Sequence, residues 1–356
     1  MISFDIVELK KPLVRTEHPT PQPEDHQVLV RVLAAGVCHS DLHIWHGTYD
    51  LGNGKTLSMM DRGMKLPLTP GHEIAGEVVA VGDKVKNIEI GKNYVIYPWH
   101  GCGECKVCRR GDENLCLNGK SLGIYQPGGY SDYVLVSDSR YLVDIGDMSP
   151  VQAAPYACSG LTTYSAIRKI KEQVLKDEKV VLFGAGGLGL MAITLIKALG
   201  GAGVLVIDPD ESKHAAALQA GADAVFNPRK DDIATEIKKA AGGAVWAIID
   251  CVGSSQTIQA GQDMLTKGGQ LVQIGLFGGH IDISTPFMVL KAMTYQGTYV
   301  GNLRELQELI ALVKDKHLPP VATTCMHFSK AFTALLALEE GKAVGRQVLT
   351  PGNLDA

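Results

Sequence analysis

Nowhere in the chain does an apolar run reach the roughly 20 residues that a bilayer-spanning helix needs. The longest apolar helical pattern, near 188–199, is broken by Thr194 and Lys197. The start, Met1-Ile2-Ser3-Phe4-Asp5, lacks the charged opening and apolar stretch of a signal peptide, so none is expected. Basic residues are not in excess. The 34 Lys and Arg against 38 Asp and Glu leave a net charge of −4, which offers no footprint for nucleic acid or an anionic membrane. These absences predict a soluble, cytoplasmic chain with neither a membrane nor a nucleic acid as partner.

What is present is ordinary in amount and unusual in placement. The 356 residues leave room for two domains with separate cores, and the 40 glycines suit a sheet-rich α/β protein with many tight turns. Eight cysteines in a reducing compartment argue against disulfides, and four of them fall within fifteen residues, Cys102 to Cys116. Cys251 and Cys325 lie in apolar surroundings and are expected to be inert core thiols.

Two rhythms divide the chain. Up to about residue 150 it reads as β-rich: 28–33, 74–82 and 91–97 are β-branched runs closed by turn residues. Between Gly47 and Leu66, glycines, two adjacent methionines and mixed charges read as loop. From Ser149-Pro150 onward, strands at 179–183, 203–207, 224–226, 245–249 and 270–274 alternate with helices at 188–199, 210–220, 231–241 and 255–266. Such alternation predicts a parallel, doubly wound sheet. The last segment, with helices at 303–315 and 329–340 and strand-like 322–328 and 347–349, is expected to return to the first domain. The predicted fold class is α/β.

Within the second rhythm, Val180-Val181-Leu182-Phe183 runs into Gly184-Ala185-Gly186-Gly187-Leu188-Gly189 and then a helix. That is the glycine fingerprint of a dinucleotide site in its proper setting. Gly184 permits the tight turn, Gly186 admits the pyrophosphate, and Gly189 allows close helix–strand packing, while the helix N-terminus meets the phosphates. A second strand ends in Asp208, 22 residues beyond Gly186. An acid there accepts from ribose hydroxyls and repels a 2′-phosphate, which favours NAD over NADP.

The first rhythm carries metal chemistry. Cys102, Cys105, Cys108 and Cys116 are within loop reach of one tetrahedral ion, and four thiolates close its coordination, so this zinc is expected to be structural. An iron–sulfur cluster is the competing reading. Arg109 and Arg110 alongside are expected to offset the thiolate charge. Cys38, His72 and Cys158 remain as candidates for a second zinc with one open position. Glu73 and Asp41 stand beside them as carboxylates able to orient a ligating imidazole. His39, Ser40 and His43 read as a phosphate contact and a proton path.

Taken in order, Gly36–His43, Gly71-His72-Glu73, the four-cysteine loop, Cys158-Ser159-Gly160-Leu161-Thr162, Gly184–Gly189 with Asp208, and Gly345-Arg346 give the chain its kinship. It resembles the zinc-containing medium-chain alcohol dehydrogenases over essentially its whole length. The resemblance implies a GroES-like β-barrel catalytic domain over 1–158 and 300–356, a Rossmann domain over 159–299, and an active site in the cleft between them. It implies two Zn²⁺ per chain, the catalytic one on Cys38, His72 and Cys158 with Glu73 nearby as an outer or transient ligand, and NAD(H). Ser40 would take the alcohol proton and relay it through the nicotinamide ribose to His43, with Asp41 steadying His72. His39 and Arg346 would contact the pyrophosphate, Thr162 would pack on the nicotinamide, and Asp208 and Lys213 would hold the adenosine ribose. Gly187, Leu188, Ile274 and Gly275 complete the implied cofactor contacts.

The implied reaction is oxidation of an alcohol to its aldehyde, zinc lowering the proton affinity of the alcohol oxygen before hydride leaves for NAD. Within the family, Leu57–Gly63 with Tyr97-Pro98-Trp99 looks like the 6-hydroxyhexanoate dehydrogenase-like subgroup. That implies primary medium-chain, aromatic or ω-hydroxy acid alcohols, with Arg62 and Lys65 as candidates to meet a distant carboxylate. The 48–65 stretch, longer than in yeast-like members, is expected either to rim the substrate entrance or to be a surface insertion. The lack of a liver-type insertion before the cysteine loop favours a homotetramer over a dimer. Other readings stay open: a secondary-alcohol or polyol dehydrogenase, a zinc-independent quinone or enoyl reductase on the same fold, or a non-catalytic zinc- or nucleotide-binding relative.

Overall fold

A computed structural model describes residues 1–229 and 232–352. The chain divides into two compact units. One holds Met1–Thr48, Ser58–Leu161 and the segment from Gly301; the other holds Tyr49–Leu57 and Thr162–Val300.

The first unit is built on the ten-residue strand Val28–Val37, whose side chains are almost all buried. Along one side it pairs antiparallel with Glu73–Val81, which pairs in turn with Asn93–Ile96 and, beyond it, Leu142–Asp144. Its other side is shared by two strands. Tyr133–Val136 takes Val28–Arg31, and Arg346–Thr350 takes Ala35–Val37. The C-terminal strand therefore returns to the first sheet, with Thr323–His327 parallel on its outer edge. The helix Leu303–Lys316 begins with a reciprocal cap between Asn302 and Glu305 and buries Leu306, Leu309, Ile310 and Val313, one helical stripe.

The second unit is a six-stranded parallel sheet in the order Ala224–Phe226, Val204–Ile207, Val180–Phe183, Val245–Asp250, Leu265–Gln273, Thr294–Gly297. The order reverses between Val180–Phe183 and Val245–Asp250, the point where such sheets bind ligands outside their carboxyl ends. Val181, Phe183, Leu205, Ile207, Ile248 and Leu271 form part of one buried face under Ile237 and Ile258. The helix Gly187–Ala198 is apolar on nearly every side because it is enclosed.

Two features differ from the sequence expectation. The stretch read as loop after Gly47 is a hairpin, Thr48–Gly52 with Lys55–Ser58. Asn53 and Gly54 both take positive φ, as a two-residue hairpin turn requires. Its strand Thr48–Gly52 lies so close to Gly278 and Gly279 that a Cβ on Gly52 would stand 2.5 Å from the Gly279 carbonyl carbon. Second, Cys325 is exposed, and Cys251 is only partly covered. Cys325 sits on an edge strand whose residues face mostly outward, so the core-thiol expectation is corrected there, while burial pushes the Cys251 thiol up as expected of a core group. Among the described residues no helix is long and apolar enough to cross a membrane.

Candidate active site and metal centres

The strand Val28–Val37 delivers Cys38 as the residue that starts the helix His39–His46. Asp41, in the first turn, accepts the Cys38 N–H at 2.9 Å and the Gly71 N–H at 3.2 Å. One carboxylate therefore ties the Cys38 corner to the segment carrying His72. Its Oδ1 is 3.1 Å from His72 Nδ1, an ion-pair distance without good hydrogen-bond alignment. Tyr130 donates to Asp41 Oδ2 at 3.3 Å. Gly71 has φ +92°, and a Cβ there would strike the Tyr130 ring at 2.4 Å, so only glycine suits the residue before His72.

Cys158 comes from the junction between the 3₁₀ turn Ala154–Ala157 and the helix Ser159–Arg168. Cys38, His72 and Cys158 are all buried, and their donor atoms lie within 4.8 Å of one another. Among the described residues His72 Nε2 is buried with no hydrogen-bond partner, the state of a nitrogen reserved for a ligand bond. The Cys158 thiol beside it, with help from His72, holds Cys38 well below the usual thiol range. Cys158 is pushed the other way by Cys38 and by burial. Burial alone would depress His72, but Asp41 and Cys38 more than reverse it. Two sulfurs, one imidazole and, among the described residues, no fourth protein donor make a zinc set with an open position.

Glu73 faces Gly36 across the sheet, and a Cβ on Gly36 would collide with its carboxylate. Glu73 Oε1 accepts the Ser159 N–H at 3.1 Å, and Oε2 pairs with Arg346. Burial raises Glu73 to about 7 even with that guanidinium beside it. Arg346 is itself buried, and among the described residues its Nε–H has no partner, so a donor remains for the pyrophosphate contact the resemblance implies. Tyr130 was not singled out by the sequence, and Trp99 and Ser159 entered there only inside longer motifs, without these contacts. The Trp99 ring centroid lies 5.3 Å from that of His72, and its indole donates to the Ala157 carbonyl at 3.2 Å. Ser40 and His43 are partly exposed, and His39 is exposed.

The four-cysteine loop is built differently. Cys105 caps the short helix Lys106–Arg109, and sulfur–sulfur separations run 3.5 Å for Cys105–Cys108 and 3.9 Å for Cys102–Cys108 and Cys105–Cys116. A tetrahedron with ~2.3 Å zinc–sulfur bonds has edges of ~3.8 Å, so the set fits one zinc. The Cys108 backbone N–H lowers Cys105 to about 7, while burial lifts Cys108 to about 12. Arg110 pairs with Asp112, and Arg140 is the cation braced beneath the loop, on Glu113 and Tyr141.

In the second unit Gly184 has φ +94°, and a Cβ on Gly189 would lie 2.0 Å from the Gly184 carbonyl oxygen. A Cβ on Gly186 would meet nothing within 4 Å, so the space above it is open to a phosphate. Asp208 is 5% exposed and accepts the N–H groups of Ala185 at 2.7 Å and Asp210 at 2.8 Å, which fix it beside the glycine turn. Lys213 lies 3.3 Å from Asp210. Thr162 Oγ1 is buried without a partner among the described residues. Ile274 and Gly275 both donate N–H to Asp250 O at the end of the neighbouring strand, Gly187 opens the helix, and Leu188 follows it.

Known proteins agree with this geometry. Residues 24–147 match the alcohol dehydrogenase GroES-like domain and residues 187–315 the zinc-binding dehydrogenase domain. An NAD-dependent alcohol dehydrogenase of Sulfurisphaera tokodaii is 40% identical over 352 residues, covering 99% of this chain and 100% of that one. The crystal structure of the alcohol dehydrogenase from Aeropyrum pernix superposes with a TM-score of 0.88 at 30% identity, covering 99% and 100%. That of the D-arabinose dehydrogenase from Sulfolobus solfataricus gives 0.82 at 28% identity, covering 98% and 99%. The units are thus a GroES-like domain and a Rossmann-like domain, Cys38, His72 and Cys158 are the catalytic zinc site, and the four cysteines are the structural one. With both donor sets, the glycine turn and relatives matched end to end, the chain belongs to the zinc-containing medium-chain alcohol dehydrogenase family.

Proposed function

We propose that the protein oxidises a primary alcohol to its aldehyde with NAD⁺, the buried Cys38–His72–Cys158 donor set being the observation that carries the reading. The dinucleotide is supported by the open cradle above Gly186 and by the names of the relatives, and NAD over NADP by Asp208. Zinc, when bound, supplies Lewis acidity that lowers the proton affinity of an alcohol oxygen. NAD⁺, when bound, supplies the hydride acceptor.

The residues do the rest. Cys38, His72 and Cys158 would hold the metal, and Asp41 keeps the His72 ring from turning. Ser40, in the first turn after Cys38, takes the alcohol proton, and His43, one turn on, carries it outward. Glu73 is held back from the donor set by Arg346 and the Ser159 N–H, available as an outer ligand. His39 and the spare Arg346 donor serve the pyrophosphate, Thr162 the nicotinamide, and Asp208 with Lys213 the adenosine ribose. Buried Trp99, beside His72, gives an apolar wall that favours carbon-rich chains over hydroxylated ones.

Within that class we infer a medium-chain, aromatic or ω-hydroxy acid substrate of the 6-hydroxyhexanoate type. Its support is the Leu57–Gly63 run with Tyr97–Trp99, and the exposed Arg62 and Lys65. The likeness to a D-arabinose dehydrogenase favours a second reading, a polyol or secondary alcohol. We also propose a homotetramer. Thr294–Gly297 is an uncovered sheet edge, and Phe277, Val289, Leu290 and Tyr299 near it in sequence are strongly exposed apolar side chains of the kind a second copy would cover.

Initial rates of NAD⁺ reduction with ethanol, hexanol, benzyl alcohol, 6-hydroxyhexanoate, 2-butanol, cyclohexanol and D-arabinose, before and after zinc chelation, test all of this. Activity peaking at hexanol or 6-hydroxyhexanoate and lost on chelation is expected. A preference for arabinose or the secondary alcohols would replace the substrate class, and no activity with zinc bound would overturn the enzyme reading. Asp208→Ser removes a charge-assisted contact worth about 1.5–3 kcal/mol, or roughly 10- to 100-fold in NAD⁺ preference; unchanged kinetics with both cofactors would remove Asp208 from the site.

A further inference from the structure

The helix His39–His46 buries Asp41, Leu42 and Trp45 on one side. On the accessible side His39, His43 and His46 follow at i, i+4 and i+7, a row of three imidazoles leading away from Cys38. The middle one, His43, is a poor resting place for a proton. It is half-covered, and burial together with its neighbour His39 holds it below the ordinary imidazole value. A proton that reaches His43 is held less tightly than on an ordinary imidazole.

The next imidazole is arranged to receive it. His46 Nε2 lies 2.9 Å from Oε1 of Glu339, on the helix Ala331–Glu339 that packs against this one. The two side chains are 32% and 39% exposed, so both reach water. Among the described residues neither His46 nor Glu339 makes another ion pair, and the neighbouring acid Glu340 is taken by Lys342 at 2.7 Å. His46, like His43, stands in the last turn of its helix, where the helix dipole favours a cation, but only His46 has a carboxylate partner in its ion pair with Glu339. Trp45 and Phe332 pack edge to face beside the pair and fix the two helices against each other.

We propose that His46 and Glu339 are the exit of the proton path that begins at Ser40 and His43. His46 accepts the proton from His43, and Glu339 holds the resulting imidazolium at the solvent edge until buffer removes it. Side chains three apart on a helix have Cβ atoms about 5–6 Å from each other, so the two rings are neighbours on one face. The proton is the one released for every alcohol oxidised by NAD⁺, and no electrons move in this step. The inference rests on the dehydrogenase reading above. It makes His46 and Glu339 positioning residues for proton transfer, not groups that touch substrate.

The test is stopped-flow measurement of proton release with an indicator dye, beside NADH absorbance, in weakly and strongly buffered solution. His46→Gln should slow proton release about tenfold in weak buffer, less than the ~10²-fold or more typical of a direct acid–base group. Added imidazole should restore it, with KM and Tm near those of the unmodified enzyme. Glu339→Gln should act in the same direction and more weakly. Unchanged release in His46→Gln, or slow release that imidazole does not restore, would overturn the proposal. His43→Gln separates the two levels. If it slows release and His46→Gln does not, only the exit fails; if neither slows it, the Ser40–His43 path fails as well.

Discussion

Two centres in the first unit are made from cysteine, and they are assembled in opposite ways. Cys102, Cys105, Cys108 and Cys116 come from one loop, three of them partly exposed, with a short helix between the second and the fourth. Cys38, His72 and Cys158 come from three stretches spread over 120 residues and are all buried. The loop needs little beyond its own turns to gather four sulfurs. The buried set exists only because the sheet aligns Val28–Val37 with Glu73–Val81 and the Ser159 N–H docks on Glu73. A local, saturated set serves folding, and a dispersed, unsaturated set serves chemistry.

The strongest way to break that contrast is to remove one sulfur from each centre. Cys158→Ser should lower kcat/KM by a factor of about 10³ or more, the loss of several kcal/mol of charge stabilisation, while one zinc per chain remains and Tm moves little. Metal analysis showing two zincs with near-normal turnover would end the division of roles. Cys105→Ser should also leave one zinc, but its cost should fall on stability. An expected loss of roughly 3 kcal/mol or more in urea unfolding follows from metal binding that is itself folding energy. If stability held and turnover fell instead, the loop would belong to the chemistry.

Asp41→Asn is a gentler probe. It keeps the shape but removes the charge beside His72, and zinc affinity at the buried site should fall about 10- to 100-fold, with the loop's zinc unaffected. Competition against a graded chelator measures both. The smallest effect concerns thiol access. With both metals in place, Cys325 should be alkylated first, being the exposed thiol outside either centre. After chelation Cys102, Cys105 and Cys116 should label before Cys38 and Cys158, because the latter stay buried; mass spectrometry of timed digests would show the reverse order if the buried site opens when its metal leaves.

Much of the architecture is legible in the amino-acid order where local physics decides it. The glycine turn after Val180–Phe183, the alternation of apolar strands and helices, and the cysteine spacing each express a constraint confined to a few residues. The last parallel strand, Thr294–Gly297, escapes such reading because it is polar and exposed at the sheet edge, with no apolar period to reveal it. The hairpin after Gly47 was concealed by its charged and glycine-rich composition, although Asn53-Gly54 is the strongest short signal for such a turn. Cys325 shows the converse. Its apolar neighbours suggested a core, but an edge strand has an outer face whatever its composition.

By itself, the sequence determined that the chain binds metal through four clustered cysteines, turns tightly at Gly184 and winds a parallel sheet after residue 150, because each follows from spacing and backbone preference. Which distant groups meet depends on how the chain folds back on itself. Arg346 reaches Glu73 across 273 positions, Tyr130 reaches Asp41 across 89, and His46 reaches Glu339 across 293. Such pairs leave no periodic trace along the chain. They are set by sheet register and helix packing, and by the cost of burying a charge without a partner.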